Sequence, residues 1–406
     1  HIDNNGSIEI LDDSVKETLT EKINEMSDNA LRVLGIAYKN TENIEDNIEN
    51  DLIFTGLVGI IDPPKENVDK SIAACKKAGI KVRMITGDHL KTAAAIAREI
   101  GILTDGKVID GETLDKLSDE EYFEIVDDIQ VYARVKPEQK MRIVETLKQK
   151  GEIVSMTGDG VNDAPALKNA SIGVAMGSGT DVAKESGDMI IQDDNFETIV
   201  TAIREGRKIY DNIKRFVKFQ VSTNVGAILT IVGTSIFMLP VPFNPVQLLW
   251  INIVMDGPPA QTLGMEGSER NIMTRQPETG DILNKKVLIK IFIAGLVMAI
   301  GSIALFSYKL AIGASQKQAM TVAFTLFVMY QLFNAYNSKS NSAKKSTYLY
   351  LAIIACFILQ VLIVYIPELQ IIFRTTSIAI TDWILIFIIA ATILVSNRIA
   401  NKIVVE

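Results

Sequence analysis

Two aspartates stand four residues apart in the string M-T-G-D-G-V-N-D-A-P-A-L, residues 156–167. Asp159 and Asp163 follow directly on the run E-I-V-S-M-T, which reads as a strand. Carboxylates crowded at a strand end are costly unless a cation joins them. Mg2+ suits such a place, because it accepts a few hard oxygens while keeping its waters. Gly158 and Gly160 let the backbone come close to a phosphate, and Asn162 adds a neutral donor. An isolated Asp-Gly pair would be an ordinary turn with a helix cap. The whole string points instead to Mg2+-assisted phosphate chemistry.

Other residues fit that chemistry. Lys140, in the helix opened by K-P-E-Q, is placed to neutralise transferring phosphoryl oxygens. Thr86, Gly87 and Asp88 bring a hydroxyl, a bare backbone and a carboxylate to a second strand end. The same three residues also read as a plain strand-to-helix cap by Asp88. Arg32 and Arg134 either contact a triphosphate or face solvent.

A second constellation lies in apolar surroundings. In L-L-W-I-N-I-V-M-D-G-P-P-A, Asn252 and Asp256 are four apart and are expected on one helix face. Gly257, Pro258 and Pro259 weaken the helix behind them and free carbonyls. An ionisable group inside a span is a functional-site candidate by default. Asn224 in S-T-N-V-G, with Gln331 and Asn334 further on, adds hard oxygen atoms of the kind that suit Ca2+.

The elements that must hold these residues fall into two kinds. From Asp51 to about Ala202 strand and helix signals alternate, which predicts a parallel sheet with helices on both faces and an active site at the strands' carboxyl ends. The strands are L-I-F-T-G-L-V-G-I-I, I-K-V-R-M-I, V-Y-A-R, E-I-V-S-M-T, I-G-V-A-M-G and M-I-I-Q. Residues 1–50 hold a helix, Ser14–Glu25, and one strand in A-L-R-V-L-G-I-A-Y-K. That stretch is too small for its own core and reads as the tail of a domain whose body is missing.

Residues 203–406 are expected to form a stalk and six spans, at about 216–239, 246–264, 287–308, 318–336, 347–366 and 379–397. An even number leaves both flanks on one side. Arg270, Arg275, Lys285, Lys286, Lys339, Lys344, Lys345, Arg398 and Lys402 would face that side, against Lys309, Lys317 and Arg374 on the other. The head is therefore expected in the cytosol of an integral, multi-pass membrane protein.

The net charge of -8 argues against a nucleic-acid partner, and the two cysteines, Cys75 and Cys356, suggest no disulfide framework. Neither a signal peptide nor an internal repeat is evident. The chain opens at His1 in a polar stretch without a methionine, so a truncated piece is expected.

D-P-P-K (62–65), T-G-D (86–88), K-P-E-Q-K (136–140) and T-G-D-G-V-N-D-A-P-A-L (157–167) together resemble the phosphorylation domain of P-type ATPases, which has a haloacid-dehalogenase-like, Rossmann-like α/β fold. The resemblance runs from about Leu31 to the last span. It implies Asp159 as the Mg2+ ligand with Asp163 as its acidic partner, and Lys140 and Asn162 as contacts to the phosphorylated site. It also implies Arg32, Thr86, Gly87, Asp88, Arg134, Lys140 and Asn162 as nucleotide contacts. ATP is then the substrate, and a phosphorylated aspartate the intermediate.

The family's D-K-T-G-T motif and T-G-E-S loop do not occur here, nor do four earlier membrane helices. All lie upstream in the family, so the missing amino-terminal half is the expected partner. This piece by itself is expected not to hydrolyse ATP.

The membrane residues resemble those of calcium pumps, with Asn224, Asn252 and Asp256 on ion-binding positions and Gln331 a weaker candidate. Ala227, Met255 and Gln331 stand where the two-ion sarcoplasmic-reticulum type has a glutamate, a threonine and a glutamate. The same trio resembles the plasma-membrane type, which implies one Ca2+ per ATP. Other readings stay open: a P-type pump for another cation, such as a proton or sodium ion, and a non-pumping product, either a phosphatase-like domain or an inert fragment. No Cys-containing ion motif in the spans favours a soft metal. Acidic composition and a short tail suggest small bacterial pumps of the cell membrane.

Overall fold

The computed structural model describes residues 7–28, 31–40, 49–60, 63–278, 280–340 and 346–405, with side chains as far as residue 395 in the last helix. Asp62 of D-P-P-K, Lys344 and Lys345 lie outside the described residues, as do the side chains of Arg398 and Lys402. The chain divides into two compact units, one of residues 1–202 with 273–276, the other of 203–272 with 277–406.

The first unit begins with α1 (Asp13–Asp28), β1 (Arg32–Tyr38) and β2 (Ile53–Ile60). The second strand was expected in the parallel series. Instead it pairs antiparallel with β1, Arg32 opposite Ile60 and Tyr38 opposite Ile53, as a separate two-stranded sheet. A boundary at residue 50 therefore falls inside a strand pair.

Next come α2 (Val68–Lys77), β3 (Met84–Ile85), α3 (Leu90–Glu99), β4 (Lys107–Asp110), α4 (Gly111–Lys116), α5 (Asp119–Ile125) and β5 (Ile129–Ala133). β3, β5 and β4 form a parallel sheet in that order. β5 is buried on both faces, as a central parallel strand should be. Val131 and Ala133 join Ile72, Ala93 and Ala97 of α2 and α3, while Tyr132 joins Leu114, Tyr122 and Ile143 on the other side. Only Met84 and Ile85 of the expected I-K-V-R-M-I strand enter the ladder, and the guanidinium of Arg83 just before them donates to the Val126 and Ile129 carbonyls.

β4, α4 and α5 were not anticipated. All three are short, and caps define the two helices: Asp110 accepts from Thr113 N at 2.9 Å, and Ser118 and Glu121 cap one another at 3.2 and 2.9 Å.

The series closes with α6 (Pro137–Gln149), β6 (Ser155–Gly158), α7 (Ala164–Asn169), β7 (Ile172–Met176), α8 (Asp181–Ser186) and β8 (Met189–Ile191). β6, β7 and β8 form a second parallel sheet, so the expected single sheet is present as two three-stranded pieces. Ile85 and Val154 each pack on the cores of both pieces. β3 and β6 are each the edge of their own sheet.

The second unit contains most of α9 (Phe196–Ile236), then α10 (Pro245–Trp250), a π turn (Ile251–Met255), α11 (Gly257–Gly264), α12 (Lys285–Ala311), α13 (Gln316–Asn337), α14 (Thr347–Tyr365), α15 (Pro367–Phe373) and α16 (Ile380–Val405). Four helices, α9, α12, α13 and α14, are long and apolar enough to cross a membrane, against the six expected. Of the other two, the run 245–264 is broken at the π turn, and the apolar stretch of α16 with described side chains spans Ile380–Val395. α13 is central to the unit: 83% of its apolar window is buried, against 33% in each of the other three. Around it gather Phe243, Met255, Met298, Phe306 and Ile386.

Candidate functional site

Both acidic loops sit at the carboxyl ends of parallel strands, one after β3 and one after β6. After β6 the chain turns through Gly158-Asp159-Gly160 into α7, folding Asp163 back under the loop. Its Oδ2 accepts from the backbone N–H of Asp159 at 3.3 Å and of Gly160 at 3.2 Å. Its Oδ1 lies 2.5 Å from Nζ of Lys140, in the first turn of α6. The pair is sheltered, with side chains 19% and 8% exposed. A Cβ on Gly158 would stand 2.4 Å from that of Asp163, so glycine is required by the return of Asp163. Sequence reasoning did not foresee Lys140 as the partner of Asp163, 23 residues on.

Asp159 and Asn162 are exposed at the loop's surface. The Asp159 carbonyl accepts from Thr180 N at 2.8 Å, and a Cβ on Gly179 would stand 2.8 Å from that oxygen. Sequence reasoning missed this G-S-G-T support; its one signal is Thr180 before α8, where the hydroxyl caps Ala183 N at 3.3 Å.

The T-G-D loop is tied to Arg134. Thr86 N donates to Tyr132 O at 2.9 Å, Val135 N to Thr86 O at 3.2 Å, and Arg134 N to Asp88 O at 3.1 Å. Arg134 has a φ of 48°, the left-handed region, so its exposed side chain leaves the strand end at a sharp turn. The Thr86 hydroxyl donates to Asp88 Oδ2 at 2.8 Å. The α3 cap is His89, whose Nδ1 accepts from Lys91 N at 3.3 Å, so Asp88 is free of that role. Gly87 has open space around it. Arg32 is exposed on β1, and among the described residues no side-chain hydrogen bond links it to either loop.

No group of three or more His, Cys, Asp or Glu side chains could hold a metal among the described residues. Mg2+ does not need one, since it is held by one or two carboxylates with phosphate oxygens and waters completing the shell. The donors fit that habit. Asp159 is an exposed carboxylate without an ion pair among the described residues, while Asp163 is already committed.

In the apolar unit, Asp256 is 1% exposed and accepts from Gln331 Nε2 at 2.9 Å. Its Oδ2 and the Oε1 of Gln331 are buried without a partner. Buried acceptors are seldom left so, and two beside each other suit a cation. Asn252 does not join them. In the π turn Asp256 N reaches back five residues to Ile251 O at 3.0 Å, and Asp256 is buried while Asn252 is exposed. The expected shared helix face is thus broken by the extra residue in the turn. Asn224 is likewise exposed on α9. Asn334 donates to Ser222 Oγ at 2.9 Å, tying α13 to S-T-N-V-G. Ala227 and Met255 are buried.

One buried pair escaped sequence reasoning. Lys309 of α12 is bonded to Asp382 of α16 at 2.9 Å, side chains 8% and 4% exposed. Its partner is 73 residues away, so no local pattern signals it.

Two family models match the chain. Residues 16–171 match that of haloacid dehalogenase-like hydrolases, and residues 240–403 that described as cation transporting ATPase, C-terminus. A calcium-transporting ATPase of Bacillus subtilis is 40% identical over 397 residues, 94% of this chain and 44% of that protein. Calcium-transporting ATPase 1 of Saccharomyces cerevisiae is 40% identical over 413 residues, 96% of this chain and 43% of that protein. Human calcium-transporting ATPase type 2C member 1 is 39% identical over 364 residues, 87% of this chain and 40% of that protein. The chain therefore spans less than half the length of these relatives. They come from a bacterium, a yeast and a mammal, so likeness does not single out a bacterial source. Head and membrane region match one kind of protein in one order, and the chain belongs to the P-type cation-transporting ATPases.

Proposed function

We propose that this chain is the carboxyl-terminal part of an ATP-driven pump that moves Ca2+ out of the cytosol through an aspartyl-phosphate intermediate, one Ca2+ per ATP. The observation that carries the reading is the buried Asp256–Gln331 pair with its two unpartnered oxygens. It supports an oxygen-lined cation site of low charge. A single buried carboxylate beside an amide, with Ala227 and Met255 nearby in sequence contributing no oxygen ligand, favours one ion over two. The carbonyls freed before Pro258 and Pro259 add neutral ligands. Asn224 and Asn252, exposed in apolar helices, would face groups from the amino-terminal half and not the Asp256–Gln331 pair.

In the head, Arg134 and the Thr86–Asp88 loop would hold the nucleotide, with Arg32 a further contact. Lys140, fixed by Asp163, would stand beside the transferring phosphoryl group, and Asn162 would donate to its oxygens. Mg2+ bound at Asp159 would offset charge on those oxygens. The phosphorylated aspartate would come from the upstream half, on a strand completing the sheet between the free edges of β3 and β6. On this reading residues 1–50 are a remnant of the nucleotide-binding domain, and residues 51–202 a phosphorylation domain lacking its first strand. Residues 203–406 carry a stalk and six spans, counting the broken 245–264 run and α16, with the head in the cytosol.

The test is phosphoenzyme formation by the complete pump. Asp256→Asn is expected to abolish calcium-dependent phosphorylation from ATP, and unchanged phosphoenzyme would overturn the ion site. Flux measured against ATP should give one Ca2+ per cycle; two would overturn the single-site assignment.

A further inference from the structure

The carbonyl of Val254 lies in an unusual position created by the local sequence. In V-M-D-G-P-P, its acceptor role in an α-helix falls to the N–H of Pro258, and in a π register to that of Pro259. Proline has neither. Val254 O therefore has no backbone donor in either helical register of this segment, two residues from the buried Asp256. A part-buried carbonyl deprived in this way needs another partner. The donor that reaches it is the thiol of Cys356 on α14, Sγ to O at 3.6 Å. Cys356 is 1% exposed and belongs to the same core cluster as Met255.

We infer that Cys356 is a positioning residue for the membrane ion site: its S–H tethers the Val254 carbonyl and so holds the π turn in the shape that presents Asp256 to Gln331. This rests on the ion-site reading above. A shift of the turn by one residue would rotate Asp256 by about 100° and break its bond to Gln331. Packing alone does not account for a thiol here, since a methyl of valine would fill similar space but leave the carbonyl without a donor. A thiol is a weak donor, so the tether fixes the turn without locking it, which suits a site that must load and empty.

The complete pump tests this with Cys356→Ala, Cys356→Val and Cys356→Ser, reading the calcium concentration for half-maximal ATPase activity separately from maximal turnover. Alanine and valine are expected to raise that concentration about two-fold, the low end of what one net hydrogen bond is worth and the end that suits a weak donor, while maximal turnover falls less. Serine, which keeps a donor, is expected to stay near the parent value. If valine matches the parent, or serine behaves as alanine does, the tether is overturned and Cys356 only fills space. Should any variant fail to fold, Cys356→Thr, which carries both the methyl and a donor, must match Cys356→Ser rather than Cys356→Val. Asp256→Asn is run alongside. If it abolishes calcium-dependent phosphorylation while Cys356→Val changes nothing, this inference alone fails; if it changes nothing, the ion site itself is wrong.

Discussion

Lys140 and Asp163 meet at 2.5 Å beneath the Gly158–Gly160 turn, and their contact links the first turn of α6 to the start of α7. The ammonium is thereby held at a fixed place on Asp163, whose other oxygen accepts from the backbone N–H of Asp159. Lys140→Met leaves a carboxylate 6% exposed with only its two backbone donors. The expected cost is about 2 kcal/mol of head stability, and in the complete pump a fall of about 10²-fold in phosphoryl transfer. Thermal unfolding and single-turnover phosphorylation from ATP measure the two. Unchanged values in both would remove Lys140 from the site.

Gly158→Ala should imitate that loss from the other partner. The added Cβ would stand 2.4 Å from Asp163, which must move and leave Lys140. The expected outcome is loss of phosphoenzyme with ion binding retained, whereas Gly87→Ala, in open space, should be tolerated sterically. Parent-like phosphorylation by Gly158→Ala would show that the loop does not need Asp163 in place.

The hydroxyls of Tyr122 and Tyr132 share a hydrogen bond of 2.9 Å and both side chains are fully buried. Burial pushes both phenols up, because phenolate is poorly solvated there. A folded-state value above the unfolded one means the pair's contribution is complete below about pH 10 and is lost as pH rises further. Ultraviolet titration should show these two phenols ionising only as the head unfolds. Their ionisation near pH 10 with tertiary structure intact would refute this.

Lys309→Met should cost about 3–5 kcal/mol, since it strands Asp382 in the interior, 3% exposed. Lys309→Met combined with Asp382→Leu should recover most of that loss, because apolar groups can replace both charges. Unfolding of the detergent-solubilised protein measures the cycle; simple additivity of the two changes would show the pair is not coupled.

Local chemistry was legible in the sequence and long-range geometry was not. The T-G-D and T-G-D-G-V-N-D strings stand at strand ends as their residue types suggest, and most helices lie within a few residues of their periodic patterns. What escaped was pairing between distant residues. Lys140 is legible as a candidate phosphate contact, but the partner that fixes it, 23 residues on, is not. The run L-I-F-T-G-L-V-G-I-I is a strand in either case, and only its register with β1 shows that it runs antiparallel. Asn252 and Asp256 look like one face because spacing assumes an α-helix, and the π turn changes that count.

The free edge of β6 bears on how such a polypeptide is handled. Ser155–Gly158 pair with β7 on one side, so the backbone on the other side has strand groups to offer, immediately before the turn that holds Asp159. β3 offers another edge in the same unit. Adhesive edges of this kind seek any extended chain. On the reading proposed above, the upstream strand would emerge first during synthesis and wait for β3, β5 and then β6 before its own hydrogen bonds are met. Assembly of that sheet would then be a late event in synthesis, and chaperones would be needed longest for the segment proposed to carry the chemistry.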